Sequence, residues 1–209
     1  MFSSVTSLFL LTDEQAMWRV QMEDDAEAFA RLVERWERPI QNLCTRMLAD
    51  AHRGEDLAQE TFARLYARRK DYQPSAKFAT YLWRVALNLC YDELRRRQRR
   101  PEESIDAEAG EGMTLLENFA ATEPTPPALL EAQERIEEVK RALLRLPEPY
   151  RAVLVLRHYE NLKFREIAEV LEIPEGTVKS RMAEALSQVA RLLQPDFSNQ
   201  RSHRESILL

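Results

Sequence analysis

Residues 164–191 read FREIAEVLEIPEGTVKSRMAEALSQVAR. Phe164, Ile167, Ala168 and Leu171 form one apolar stripe at the i, i+3, i+4, i+7 spacing of an amphipathic helix. Glu172, Ile173 and Pro174 interrupt it, and a second stripe of Val178, Met182, Ala185 and Val189 follows. Two helices joined by about three residues predict a helix-turn-helix. With Val178 turned inward at about 100 degrees per residue, Thr177, Ser180, Glu184 and Ser187 turn outward and Lys179 and Arg181 fall on the flanks. Short polar groups between two cations suit a helix laid in the major groove, where they meet base edges while the cations meet phosphates. Gly176, beside Glu175 at the helix start, allows close backbone approach, and the free amide groups there favour phosphate. On pattern alone the alternative is a hairpin used only for packing, with Lys179 and Arg181 as solvated charges.

The flanking sequence is helical as well. Upstream, Ile136, Val139, Leu143 and Leu146 share a stripe that stops at Pro147 and Pro149, and a helix is expected near residues 150–159. In the N-terminal half, Phe29, Leu32, Val33 and Trp36 repeat the spacing, as do Ile40, Leu43, Cys44 and Met47 beyond Pro39, which predicts one long helix or two, kinked near Arg38. Gly54 is expected to break the chain before a helix over residues 55–69 whose stripe is Ala58, Phe62 and Leu65. A loop over 71–77 then precedes a fourth helix over 78–97, with Leu82, Val85, Ala86 and Leu89 inward. Only four glycines occur in 209 residues, and no stretch alternates long enough to need a strand. The expected class is all-α.

Charge divides this chain more informatively than its net value of −5. Residues 101–138 hold 11 acidic side chains and one basic, Arg135, leaving 24 acidic against 29 basic elsewhere, a net of plus 5. Gly110, Gly112, Pro124, Pro126 and Pro127 fall in the same acidic stretch, so residues 101–127 are expected to be a flexible acidic linker. Extended, it would reach about 90 Å, and as a coil about 30 Å. Two small helical domains result, residues 23–100 and 128–194, with 1–22 as a weakly ordered leader and 195–209 as a flexible tail. The apolar opening around Leu8, Phe9 and Leu10 has no basic start and is too short to span a bilayer, which predicts a cytoplasmic chain without membrane insertion. Cys44 and Cys90 occupy apolar positions and are expected as buried thiols. His52, His158 and His203 lack partners at zinc spacing, so no metal is expected.

With Leu82 inward on the fourth helix, the opposite face reads Tyr81, Arg84, Asn88, Tyr91 and Arg95. Rings stack unpaired bases, an amide pairs with a base edge and arginine tracks phosphate, so this stripe suits a strand being opened. The helix ends in Arg95, Arg96, Arg97, Arg99 and Arg100, a run that implies salt-dependent binding. On the preceding helix, Asp56, Gln59 and Glu60 share one face beside an apolar seam, a patch that would dock on a basic partner and be repelled by DNA. A merely solvated face is the alternative.

Several of these stretches resemble the sigma-70 family of RNA polymerase sigma factors, in its extracytoplasmic-function group. Leu146-Pro147, Glu166-Ile167-Ala168 and Gly176-Thr177-Val178-Lys179-Ser180-Arg181 look like the family's fourth conserved region, over about residues 129–193. That resemblance implies recognition of the minus-thirty-five element; Glu184 stands where members usually carry a basic residue. The run from Phe78 to Asn88 is similar to the segment that melts and reads the minus-ten element, and Asn88 matches its promoter-reading asparagine. The order Tyr81-Leu82-Trp83 is swapped relative to the common tryptophan-leucine-tyrosine, so both rings are candidates. By the same resemblance the loop over 71–77 would hold a flipped base, and Lys77 and Arg96 join the DNA-contacting set. Glu55 to Phe62 is similar to the polymerase-binding segment, which gives Asp56, Gln59 and Glu60 that role. The implied partners are core RNA polymerase, promoter DNA and an anti-sigma protein, with no cofactor.

Three other classes are weighed against this. A conventional helix-turn-helix regulator would bind palindromic duplex without polymerase, and it has little use for the aromatic stripe. An enzyme would need a glycine-rich phosphate loop, metal-ligand spacing or a nucleophile beside a base, none of which the sequence contains. A helical adaptor is the third.

Overall fold

A computed structural model of the chain describes residues 11–73, 77–99 and 137–193. Among these residues every regular element is helical. The N-terminal half contains α1 (Asp13–Glu23), α2 (Ala26–Leu48), α3 (Ala51–Ala67), a 3-10 turn (Arg69–Asp71) and α4 (Phe78–Arg99). In the C-terminal half, residues 137–145 form α5, followed by α6 (Glu148–His158), α7 (Phe164–Leu171) and α8 (Glu175–Leu193). The acidic linker and the tail expected from sequence lie outside the described residues.

Local chemistry sets the helix ends. The Gln15 amide donates to the Thr12 hydroxyl at 3.2 Å and the Gln15 side chain accepts from the Thr12 amide at 3.0 Å, a capping box that starts α1. Asp25 accepts from the amides of Glu27 and Ala28, each at 3.0 Å, and Asp50 from that of Arg53 at 2.8 Å, starting α2 and α3. The start of α4 is capped from a distance: the Phe78 amide donates to Glu14 of α1 at 3.1 Å. Asp24, Ala49 and Glu172 adopt left-handed backbone at the ends of α1, α2 and α7.

Two expectations are corrected here, and one choice between alternatives is decided. The span 1–22 is not wholly a leader, since α1 occupies 13–23 and buries Ala16, Met17 and Val20 in the core; residues 1–10 lie outside the description. Of the two readings around Pro39, the single long helix holds: α2 is one 23-residue helix with Pro39 inside it. Gly54 does not break the chain either: it sits inside α3, where an added Cβ would lie 2.8 Å from the Thr45 backbone nitrogen and 2.3 Å from its hydroxyl. It is the point where α3 crosses close against α2, and the break falls earlier, at Ala49 and Asp50.

One apolar core runs through both halves. Met17, Leu32, Ile40, Leu43, Leu57, Leu65, Phe78 and Leu82 fill the N-terminal part, and Leu146, Val155, Leu156, Ile167, Val178 and Ala185 the C-terminal part. Cys44 and Cys90 are buried free thiols, and a hydrogen bond with Cys44 together with burial pushes the Cys90 thiol well up.

Candidate nucleic-acid interface

Helix α4 buries Leu82, Ala86, Leu89 and Cys90 and turns the predicted stripe away from them. Asn88 and Arg95 are exposed, while Tyr81, Arg84 and Tyr91 are half-buried. The Tyr81 ring meets Tyr72 edge-on at 5.5 Å. Trp83 goes the other way, and its place among the DNA-contacting side chains is corrected. It is 4% exposed and packs edge-to-face on Trp36 of α2 at 5.6 Å, so its ring belongs to the core and Tyr81 is the ring at the surface.

The basic end of α4 is organised by a carboxylate that helical spacing alone does not single out. Glu93 is 5% exposed and accepts from Arg53 at 3.0 Å, from Arg96 at 3.1 Å and from Arg97 at 3.1 Å. Burial opposes its charge, but hydrogen bonds from the three arginines hold the Glu93 carboxyl down at about 2. Arg97 also donates to Asp50 at 2.8 Å, which ties it to the α3 cap. Arg97 is therefore structural, whereas the Arg95 and Arg96 side chains are 64% and 62% exposed and can still meet phosphate.

Helices α7 and α8 form the helix-turn-helix at the expected place, with the turn over 172–174. Val178, Met182 and Ala185 are buried. Glu175, Gly176, Lys179 and Ser180 are exposed, and Thr177, Arg181 and Glu184 half-buried. Within the helix, Lys179 pairs with Glu175 at 2.7 Å and the Ser180 hydroxyl donates to the Thr177 carbonyl at 3.0 Å. Glu184 accepts from Gln188 at 2.7 Å and lies 3.3 Å from Arg191, so its charge is partly offset on the same face. Nothing lies within 4 Å of a Cβ placed on Gly176, leaving that backbone open to an incoming group.

On α3, Leu57, Ala58, Thr61, Phe62 and Leu65 point inward, while Asp56 and Gln59 are exposed and Glu60 half-buried beside them. Asp56 pairs with Arg53 at 3.2 Å and Glu60 with Arg64 at 2.7 Å. Both carboxylates keep a solvent face, at 63% and 40% side-chain exposure.

The C-terminal half packs directly on the stripe. Arg84 donates to the Glu169 carbonyl at 2.7 Å and to the Val170 carbonyl at 3.4 Å, and pairs with Glu172 at 2.8 Å. Lys77 pairs with Glu166 at 3.0 Å, and Gln98 donates to Glu148 at 3.1 Å. Burial pushes the Tyr91 phenol up to about 12, with Arg181 and Glu148 in its field. Behind these contacts Arg151, 6% exposed, donates to the Met47 carbonyl at the end of α2 and to the carbonyls of Leu143, Leu144 and Leu146. Arg46 pairs with Glu160 at 3.0 Å and lies 4.3 Å above the Tyr159 ring. None of these inter-half contacts is legible from spacing; an arginine beside the apolar run from Ala152 to Leu156 was the one available signal.

Residues 32–100 match sigma-70 region 2, and residues 136–189 match sigma-70, region 4. The chain is 38% identical over 160 residues to the ECF RNA polymerase sigma factor SigW of Bacillus subtilis, covering 76% of this chain and 84% of that relative. It is 36% identical over 188 residues to the RNA polymerase sigma-H factor of Pseudomonas aeruginosa, covering 88% and 94%. Among solved structures, CnrH in complex with the cytosolic domain of CnrY has a TM-score of 0.64 at 21% identity, over 88% of this chain and 98% of that one. The sigma factor RpoE of Bartonella quintana, in complex with the anti-sigma factor NepR, has a TM-score of 0.59 at 20% identity, over 82% and 99%. The structural likenesses carry the all-helical fold, and the sequence matches carry the family. The chain belongs to the sigma-70 family of RNA polymerase sigma factors, in its extracytoplasmic-function group, and is an alternative sigma factor that directs RNA polymerase to promoters.

Proposed function

We propose that this sigma factor divides promoter recognition between two faces, and that it supplies no catalytic step of its own. The observation that carries the division is the composition of the α4 stripe: two half-buried rings, one exposed amide and cations along a single helix face. On this reading Tyr81, Arg84, Asn88, Tyr91, Arg95 and Arg96, with Lys77 at the helix start, open and hold the minus-ten strand. The exposed start of α8, from Glu175 and Gly176 through Thr177, Lys179, Ser180 and Arg181 to Glu184, docks on the minus-thirty-five duplex. Asp56, Gln59 and Glu60 present an acidic and amide face to core polymerase. Membership in this family also supports an anti-sigma partner and a cytoplasmic site of action. Among the described residues no helix is long and apolar enough to cross a membrane.

The test is reconstitution. Purified full-length chain added to core polymerase should start transcription from a defined subset of a genomic promoter library that core alone ignores. Initiation from none of the library would overturn the proposal.

A further inference from the structure

We propose that Glu184 is a specificity-determining residue of α8, reading the amino group of one cytosine in the upstream duplex. This rests on the assignment of the start of α8 to that duplex made above.

Thr177, Arg181, Glu184 and Gln188 recur at i, i+4, i+7 and i+11 along α8, and all four are half-buried, so they form one line beside the buried seam of Val178, Met182 and Ala185. Ser180 and Arg191 stand exposed next to that line. Glu184 thus shares a face with Thr177 and Ser180, the short polar groups of the recognition helix.

The Glu184 carboxylate is held in one orientation. Gln188 Nε2 donates to its Oε1 at 2.7 Å, and Arg191 Nη2 reaches the same Oε1 at 3.3 Å. Both partners belong to α8, so the helix that carries the carboxylate also aims it. Both also hold the same oxygen. Oε2 accepts from no group among the described residues, and the side chain keeps 44% of its surface exposed. The helix therefore presents a single open acceptor.

An ionised carboxylate accepts hydrogen bonds and has none to give. In the major groove only cytosine N4 and adenine N6 donate, whereas guanine N7 and O6 and thymine O4 are acceptors that turn a carboxylate away. Adenine N6 lies beside the N7 acceptor of its own base, an edge suited to an amide that both donates and accepts. A lone carboxylate oxygen meets that N7 with repulsion, and cytosine N4 has no such neighbour on its own base. Cytosine is the base that an open Oε2 selects. Phosphates repel a bare carboxylate, but the Arg191 guanidinium at 3.3 Å offsets that charge within the groove. Glu184 accordingly adds discrimination, while the cations of α8 supply attraction to phosphate.

The test uses holoenzyme assembled from the full chain and core polymerase. It is bound to a promoter drawn from those it initiates on in the reconstitution above, with the upstream duplex randomised, and bound and unbound DNA are sequenced. Wild type should favour cytosine at one upstream position by about threefold to tenfold, below what a bidentate contact confers. Glu184→Ala should flatten that position and leave the others unchanged. Glu184→Gln, which keeps the shape and adds a donor, should move the preference there to adenine. Because the Glu184 partners lie on α8 itself, both variants should melt with wild type.

A base profile unchanged in Glu184→Ala would overturn the proposal. So would a uniform gain in affinity for every sequence, which would leave Glu184 as a repellent of phosphate only, or a Glu184-dependent preference for any base other than cytosine. A wild-type profile flat across the whole upstream duplex would instead remove α8 from that duplex, and this proposal with it.

Discussion

At the residue scale, the molecule uses arginine for opposite purposes a few positions apart. Arg97 is held by Glu93 and Asp50 and anchors α4 to α3, whereas Arg95 and Arg96 keep exposed guanidinium groups. Asn88, exposed between Arg84 and Tyr91, is the amide able to pair with an unstacked base edge. Asn88→Ala should reduce formation of permanganate-reactive open promoter by about tenfold, the scale of one bidentate base contact, with duplex binding by the holoenzyme little changed. Lys179→Ala should weaken upstream duplex binding about equally across sequences and lower the salt slope by about one. A filter-binding series over salt concentration, run beside the permanganate assay, reads both. Equal loss in both assays for both variants would refute the division of labour. The placement of Asn88 and Lys179 was legible from helical periodicity, because each points away from a strong apolar seam. Trp83 was not, because a large ring near the edge of the inward arc is claimed by whichever neighbour offers a pocket, and Trp36 does.

At the element scale, the helices were largely readable because apolar spacing and caps agree along α2, α4, α7 and α8. Gly54 shows where local rules fail. A glycine in a helical pattern reads as a break from propensity alone, yet here it lets α3 approach Thr45. Gly54→Ala should lower stability by about 1 to 3 kcal/mol, as overpacking does, despite alanine's better propensity. Gly176→Ala, with open space at the same atom, should instead be neutral or stabilising by up to about 1 kcal/mol. Thermal unfolding of the two variants checks the opposite signs; a loss of similar size in both would contradict the crowding at Thr45. Helix α1 was missed because its own pattern is short and largely polar, while its buried Met17 and Val20 find their partners in the assembled N-terminal core.

At the scale of the whole molecule, closure of the two halves carries a pH dependence. Burial raises the Glu160 carboxyl to about 7 against the pull of Arg46. A raised value means the closed arrangement favours the protonated acid. Its contribution to closure is complete below about 4.5, the ordinary carboxyl range, and is lost as pH rises through about 7. Glu166, lowered by the Lys163 amide and by Lys77, acts in the opposite sense but only on the acid side of that window; Glu93, Asp24 and Asp50, also lowered, meet their cations within the N-terminal half and leave the contact between the halves unchanged. Between pH 5.5 and 8, set by the raised Glu160 value, the packing of the two halves should loosen as pH rises by no more than about tenfold per unit, the limit for one proton, read by energy transfer between dyes on the exposed positions Arg38 and Ala190. Glu160→Gln should flatten that component; an identical pH profile in the variant would show that Glu160 does not set the pH dependence of the contact.

The sequence by itself determined the helical class, the helix-turn-helix, the direction of the α4 stripe and the acidic face of α3, because periodicity is a local property and each helix needs one apolar side wherever it packs. It also carried the family, through runs of residues whose order needs no coordinates. Only the tertiary structure decided which ring is buried, that Glu93 neutralises part of the arginine run, that α1 belongs to the core, and that Arg84 and Lys77 close on α7. Those outcomes depend on which groups from distant parts of the chain meet in a low-dielectric contact, where an unpaired charge is costly, and no spacing rule records such a meeting.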